Sequence, residues 1–138
     1  MSDMTDFNQK IINEFRENDG EVGGPFAGAP VVLLHTTGAK TGKARLNPLA
    51  AQPGDDGTLY IFASKAGAPD NPDWYHNLLA HPEVEVEFGK EHFRATATPV
   101  TGDERDRIYT RQKELMPGFA DYEAKTTRTI PVIALART

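Results

Sequence analysis

The chain has 138 residues, of which 38% are hydrophobic and 25% charged, proportions typical of a globular protein rather than a disordered one. It contains no cysteine, which excludes disulfides, zinc–thiolate sites, iron–sulfur clusters and thiol catalysis. Its formal net charge of −5 argues against general nucleic-acid binding, and no apolar run is long enough to span a membrane as a helix.

The N-terminal segment predicts an amphipathic helix within residues 1–20, ending near Asn18-Asp19-Gly20. Its apolar side chains share one helical face: Phe7, Ile11, Ile12 and Phe15. We expect this helix to cover the core of the fold; capping a pocket or touching a membrane are the alternatives. Because the acidic start lacks the basic and apolar regions of a signal peptide, we expect a cytoplasmic protein, at most peripheral to a membrane.

The rest of the chain alternates between short strands, helices and turns. Strands are predicted at residues 30–36, 44–52, 58–64, 83–88, 92–100 and 129–135, and helices at 72–80, 101–115 and 119–125. A Gly-rich loop is predicted at 21–29 and a hairpin turn at 53–57. Because hairpins dominate over regular strand–helix alternation, the sequence favours an α+β fold with an antiparallel, barrel-like sheet, in one domain over residues 1–138.

Several residues give local signals about these elements. Asn71 is the predicted N-cap of the helix at 72–80, with Pro72 as its first residue. Thr101 followed by Glu104 predicts a capping box for the next helix. Pro48, inside the strand at 44–52, indicates that this strand lies at an edge or contains a bulge.

The segment 35–48, HTTGAKTGKARLNP, has the composition of a nucleotide-binding P-loop but not its spacing. A Walker A motif reads G-x-x-x-x-G-K followed by Ser or Thr. Here Gly38 and Gly42 enclose three residues, and Ala44 follows Lys43. The next element is also a strand, so no helix N-terminus would face a phosphate. The sequence therefore excludes a P-loop.

The same segment is a candidate site for another anion. Residues 22–54 contain no Asp or Glu, although the whole chain is acidic. Three basic side chains lie in this stretch: Lys40, Lys43 and Arg45. Together with threonine hydroxyls and turn amides they form the kind of donor set that binds phosphate. The alternative is an ordinary β-hairpin whose lysines point into water.

The segment 63–78, ASKAGAPDNPDWYHNL, is a second candidate binding region. Ser64 and Lys65 come at the end of a predicted strand, where they could bond the polar edge of a ligand. The small residues that follow would let a flat ligand approach the backbone closely. Trp74, the only tryptophan, either contacts that ligand or packs its helix on the barrel.

Other polar residues carry weaker signals. His76 and His81 are five positions apart, which does not place them on one helical face, so we expect no metal site. Three glutamates are predicted to form the solvent-exposed face of one strand: Glu83, Glu85 and Glu87. Tyr122 is either a hydroxyl group in a substrate pocket or an ordinary half-buried tyrosine.

Three motifs in order resemble the deazaflavin-dependent nitroreductase family: LLHTTGAKTGKARLNPL, ASKAGAPDNPDWYHNLLAHPEVEVE and RTIPVIAL. The resemblance implies a split β-barrel related to the flavin-mononucleotide (FMN)-binding oxidase barrels, and binding of reduced coenzyme F420 (F420H2). Members of this family pass a hydride from C5 of the deazaflavin to quinones, nitroaromatics or unsaturated lactones such as furanocoumarins.

The resemblance also implies functional residues. The phosphate of the cofactor would bind Lys40, Thr41, Gly42, Lys43 and Arg45. Its ring would contact Asn47, Pro48, Ala63, Ser64, Lys65, Asp73 and Trp74. The substrate pocket, with Trp74, Phe119 and Tyr122 as a lid, would comprise Trp74, Met116, Phe119 and Tyr122. Ser64 and Lys65 would fix the ring's polar edge, and Tyr122 or solvent would supply a proton.

The chain departs from the family pattern at two places. Asp73 stands where the best-known members have an apolar methionine before the tryptophan. Met116 and Phe119 stand where those members have tyrosines, which favours quinone or lactone reduction over activation of nitroimidazoles. The alternatives are an FMN-dependent oxidoreductase and a non-catalytic F420-binding or carrier protein. We expect a small-molecule electron acceptor, no nucleic-acid partner, and a monomer or homodimer.

Overall fold

A computed structural model of the chain describes residues 3–22, 30–54 and 56–138. The helices are α1 (Asp3–Glu17), α2 (Asp73–Ala80), α3 (Gly102–Leu115) and α4 (Gly118–Lys125). The strands are β1 (Val31–Thr37), β2 (Ala44–Pro53), β3 (Leu59–Phe62), β4 (Glu83–Phe88), β5 (Glu91–Val100) and β6 (Val132–Arg137). The Phe7 side chain, residues 23–29 of the predicted loop and Asp55 of the predicted turn lie outside the described residues.

The strands form a closed antiparallel barrel in the order β1-β2-β3-β6-β5-β4. Every neighbouring pair is antiparallel. The predicted α+β class with a barrel-like sheet is therefore confirmed. None of the described helices is long and apolar enough to cross a membrane.

The barrel is split along part of β2. This strand pairs with β1 over residues 44–50, but its pairing with β3 covers only residues 51–53. Residues 44–50, here named the open edge, consequently have a strand on one side only. Pro48 lies in the open edge opposite Leu33, which confirms that this proline marks an edge. Proline fits there because it has no N–H to donate to a second neighbour.

One apolar cluster fills the barrel and extends to α2. Its main strand residues are Val32, Leu34, Leu59, Ile61, Val84, Val86, Ile133 and Leu135. Trp74 and Leu78 of α2 belong to the same cluster, with 6% and 1% of their surface exposed. Burying such side chains stabilises a fold by about 1.5–3 kcal/mol each. Packing of α2 on the barrel, one of the two predicted roles of Trp74, is therefore confirmed.

Helix α1 covers the outer side of the barrel, as its amphipathic pattern predicts. Ile12 and Phe15 pack on Val31 and Leu33 and are 5% and 2% exposed. Arg16, in the last turn of α1, forms a salt bridge of 2.9 Å with Glu87 of β4. The apolar contacts and this ion pair together fix the position of α1 relative to the sheet.

The prediction that all three glutamates of β4 face solvent is wrong for Glu87, whose side chain is only 16% exposed. Besides Arg16, it contacts His35 Nε2 at 2.7 Å, and the His35 ring stacks on His92. Burial acts to raise the pKa of Glu87, but the hydrogen bonds from Arg16 and His35 outweigh it, so the pKa is lowered.

The predicted start of α2 differs from the observed one, whereas the predicted start of α3 is confirmed without its capping box. Pro72, not Asn71, is the N-cap of α2, because the Asn71 side chain accepts a hydrogen bond of 2.6 Å from Arg128 instead. Thr101 does precede α3, but no capping box forms. Gly102 takes a φ of 66°, outside the right-handed helical range, and the Thr101 side chain makes no capping hydrogen bond to the helix amides.

Two of the predicted strands differ from the observed ones by two residues or more at an end. The last strand begins at residue 132 rather than 129, since Pro131 cannot donate to the sheet. The third strand ends at Phe62, and a short 3-10 turn, Lys65–Gly67, follows it.

Candidate active site

The described residues surround a large cleft along the open edge of β2, with a volume of about 1460 Å³. Helix α1, the turn joining β1 and β2, the 3-10 turn after β3, and the helices α2 and α4 supply its other walls. The open edge contributes residues from both of its faces: Arg45, Leu46, Asn47, Pro48, Leu49 and Ala50. The cleft exists here because β3 does not pair with this part of β2, which has β1 alone as its neighbour among the described strands.

The turn between β1 and β2 forms a basic wall of the cleft. Two backbone hydrogen bonds close this turn, from Gly38 N to Lys43 O at 2.8 Å and from Gly42 N to Gly38 O at 2.9 Å. Lys40 and Thr41 line the cleft. Gly42 and Lys43, predicted with them, do not line it. The backbone of Lys43 instead closes the turn, so sequence adjacency to Lys40 does not place both side chains in the cleft.

Asn77 of α2 anchors this basic turn and was missed by the sequence analysis. Its side-chain oxygen accepts a hydrogen bond of 2.9 Å from Ala39 N, and its Nδ2 donates to Thr36 Oγ1 at 3.3 Å. Asn77 is 8% exposed and also lines the cleft. No local sequence signal marks it, because its two partners lie about forty residues away in the chain.

The segment after β3 forms the opposite wall. Ser64 and Lys65 line the cleft, whereas Ala63 is fully buried and does not. Lys65 has a φ of 46°, a left-handed conformation that is uncommon for a residue with a side chain. The guanidinium of Arg128 donates to three oxygen atoms of this segment. Arg128 lies in the RTIPVIAL motif, but no local sequence signal marks its contacts with this segment.

Residues at the start of α2 and in α4 complete the lining. Asp73 and Trp74 both line the cleft, so Trp74 faces it at the same time as it packs α2. Met116, Phe119 and Tyr122 also line it, which brings all the predicted pocket residues together. Gln9 and Ile12 of α1 line it too, so α1 borders the cleft as well as covering the barrel.

An aromatic cluster fixes the α4 wall. Phe119 is 6% exposed and contacts Phe62, Tyr109 and Tyr122 edge to face. The Tyr109 hydroxyl donates to the Phe119 carbonyl at 2.8 Å. Burial is the main cause that raises the pKa of Tyr109 to about 12, so this hydroxyl stays protonated. These contacts hold Phe119 in the wall of the cleft.

Basic groups dominate the electrostatics of the cleft. Lys40, Arg45 and Lys65 line it, and no carboxylate whose side chain the structure describes forms a salt bridge with them. Asp73 is the acidic residue among the lining residues. Uncompensated positive charge in a concave site attracts anionic ligands.

Among the described residues, the cleft shows neither a metal-ligand cluster nor an activated serine. Across residues 3–22, 30–54 and 56–138, no group of three or more His, Asp or Glu is placed to hold a metal. The Ser64 hydroxyl, within the same ranges, has no basic side chain at hydrogen-bond distance that would activate it. The site can bind and orient a large anionic ligand that carries its own reactive group.

The chain is similar in sequence to F420H2-dependent quinone reductases. The sequence signature described as F420H2-dependent quinone reductase matches residues 8–137. The chain is 41% identical over 130 residues to an F420H2-dependent quinone reductase of Mycobacterium tuberculosis, covering 89% of this chain and 85% of that relative.

Solved structures agree. One described as an F420H2-dependent reductase (FDR-A) is 40% identical, with a TM-score of 0.69 over 77% of this chain and 93% of that chain. Another, described as a domain-swapped dimer, is 36% identical, with a TM-score of 0.71 over 96% of this chain and 98% of that chain. The haem storage protein HutZ of Vibrio cholerae, 15% identical with a TM-score of 0.60, shares the fold alone.

Proposed function

Because this chain belongs to the F420H2-dependent quinone reductase family, we propose that it reduces quinones with F420H2 as the electron donor. The observation that carries the proposal is the basic cleft along the open edge of β2. We assign the described chain, as predicted, to one F420-binding domain.

The residues of the cleft fit the chemistry of this cofactor. F420 has a flat deazaflavin ring joined to an anionic tail with a phosphodiester and a glutamate. Lys40 and Arg45 offer charged donors to the phosphodiester, with the Thr41 hydroxyl beside them. Lys43 and Gly42 remain in the proposed anion site as residues that shape the turn, since the Lys43 backbone closes it.

The ring would lie between the open edge and the segment after β3. Asn47 and Pro48 of the open edge face the cleft, and Ser64 and Lys65 line the opposite wall. Ala63, which is buried, would support this wall through its backbone bond to Pro131 O at 3.0 Å.

Catalysis would depend on how these residues position the reactants. Bound F420H2 would supply a hydride from C5 of its ring, so the protein needs no nucleophile. Met116 and Phe119 would exclude water from the substrate side, and Trp74 would bound it at the start of α2. The hydroxyl of Tyr122, or solvent, would donate the proton that completes reduction of a quinone to a quinol.

Nitroaromatics and unsaturated lactones remain further acceptors in the proposal. Because Tyr122 is the one tyrosine among the predicted pocket residues, lactones fit the pocket better than nitroimidazoles do. We keep two further expectations as part of the proposal: a monomer or homodimer, and a cytoplasmic location, at most peripheral to a membrane.

A direct assay tests the proposed function. The protein is mixed with F420H2 and a quinone without oxygen, and the visible absorbance of oxidised F420 is followed. We expect turnover with F420H2 and none with reduced FMN. Turnover with reduced FMN alone would support the flavin alternative, and F420H2 binding without turnover would support the carrier alternative.

A fluorescence titration of F420H2 binding tests the cationic residues. Lys40→Ala and Arg45→Ala should each weaken F420H2 binding by at least about 1 kcal/mol, the usual loss for a charge-assisted hydrogen bond. Lys90→Ala is the matched control, since Lys90 is an exposed lysine in the turn between β4 and β5 and does not line the cleft. Unchanged affinity in both cleft variants would rule out this site.

A further inference from the structure

Arg128, between α4 and β6, makes an unusual set of contacts with the segment after β3. Its Nη2 donates to Ser64 O at 2.9 Å and its Nε to Ala68 O at 3.0 Å. Its Nη1 donates to Asn71 Oδ1 at 2.6 Å. One side chain therefore holds oxygen atoms on both sides of Lys65. No carboxylate among the described side chains forms a salt bridge with it, so neutral oxygens are its partners.

The segment that Arg128 holds is strained at Lys65. The left-handed φ of 46° costs free energy for any residue with a Cβ, and it persists only where the surrounding structure enforces it. The other non-glycine residue with positive φ in the described chain is Asp19, whose residue type tolerates this conformation better.

The segment is also confined from its other side by α4. At Gly67, a built Cβ would lie 2.8 Å from the Cβ of Lys125 and 2.9 Å from Tyr122 O. The 3-10 turn is therefore packed directly on the helix that carries the α4 wall of the cleft. Arg128 and α4 together leave the backbone of Lys65 little freedom to relax.

We propose that Arg128 is a positioning residue: by binding oxygen atoms on both sides of Lys65, it enforces the left-handed backbone that keeps the Lys65 side chain at the cleft. The identity of the ligand that Lys65 meets rests on the proposed function. Arg128 itself does not line the cleft and acts through Lys65.

Arg105 provides a matched control for a purely structural role. Its Nε and Nη2 donate to Ile130 O at 3.1 and 2.8 Å, and its side chain is 11% exposed. Like Arg128, it binds backbone oxygen near the start of β6. Unlike Arg128, it makes no hydrogen bond or ion pair with the described groups of the segment after β3.

The first experiment is a double-mutant cycle on F420H2 affinity, read from quenching of Trp74, the only tryptophan, which lines the cleft. Arg128→Ala should weaken binding about tenfold in the native chain but less than about twofold in a Lys65→Ala background, because residues that act together are non-additive. Arg105→Ala should change the F420H2 affinity only slightly, and to the same extent in both backgrounds. An equal loss for Arg128→Ala in both backgrounds would overturn the proposal.

The second experiment needs no cofactor, and it can be interpreted even if both variants are less stable than the native chain. Gly67 N donates to Ser64 O at 2.9 Å and Ala68 N to Lys65 O at 3.1 Å, so these amides report on the segment. Hydrogen exchange at both should be faster in Arg128→Lys than in Arg105→Lys, and equal rates would refute the proposal. The native chain could fail to bind F420H2 while the two variants still differ in exchange rate. That result would refute the proposed function but would support the role of Arg128 in holding Lys65.

Discussion

Replacing Asn77 tests how the basic turn is held. Asn77→Ala removes the hydrogen bonds to Ala39 N and Thr36 Oγ1. Neutral hydrogen bonds contribute about 0.5–1.5 kcal/mol each, so the free energy of unfolding should fall by about 1–3 kcal/mol. Because binding must then order a turn that α2 no longer anchors, F420H2 affinity should fall by about 1 kcal/mol, which is about fivefold.

Asn77→Asp makes the prediction sharper. An aspartate keeps the acceptor for Ala39 N, loses the donor to Thr36, and places a negative charge where the cleft is proposed to bind an anion. It should therefore destabilise the fold less than Asn77→Ala but weaken F420H2 binding more. Asn77→Asp should therefore be the more stable of the two variants and also the weaker binder of F420H2.

Urea denaturation measures the stability and a tryptophan fluorescence titration measures the affinity. Asn18→Ala is the control, because the Asn18 side chain bonds Glu14 O at the exposed end of α1, away from the cleft. The reasoning is refuted if folded Asn77→Ala binds F420H2 as tightly as the native protein, or if Asn77→Asp binds it more tightly than Asn77→Ala.

Two further predictions concern the walls of the cleft. The raised pKa of Tyr109, about 12 against an ordinary 10.0, means that its contribution to stability is complete below about pH 10 and is lost as the pH rises through about 12. Urea denaturation should show a loss of about 2–3 kcal/mol over that range, and the part due to this hydroxyl should be absent in Tyr109→Phe. Gly67→Ala should destabilise the protein by more than Gly42→Ala, by about 1–3 kcal/mol. Both glycines have positive φ, but only at Gly67 would the added Cβ meet another residue, at 2.8 Å from the Cβ of Lys125. Equal losses of stability in the two glycine variants would contradict the close packing on α4.

Local sequence signals predicted the helices and strands well where the spacing of apolar residues alone determines the element. The alternation in β4 and the apolar face of α1 depend on period alone, and both elements lie as predicted. The predicted N-cap of α2 was wrong, because a distant partner binds the capping side chain. Asparagine is a residue type that favours the N-cap position, but the side-chain oxygen of Asn71 accepts a hydrogen bond from Arg128, 57 residues later in the chain.

The lining of the candidate site was likewise predicted correctly for some residues and not for others. Residue type and an acid-free stretch indicated an anion site around Lys40 and Arg45, and both side chains line the cleft. Lys43 has the same chemistry and the same neighbours in sequence, yet it does not line the cleft. Which face of a tight turn a lysine occupies depends on the hydrogen bonds that close the turn, and composition carries no information about those.

By itself, the sequence determined the class of the fold, the family and the basic character of the site, because these follow from periodicity, motifs and residue type. Only the tertiary structure decided where the barrel stays open, since this depends on β3 pairing with residues 51–53 of β2 and no further. It also revealed Asn77 and Arg128, whose roles come from contacts with segments about forty to sixty residues away. Contacts at such separations arise from packing in three dimensions, and no local pattern encodes them.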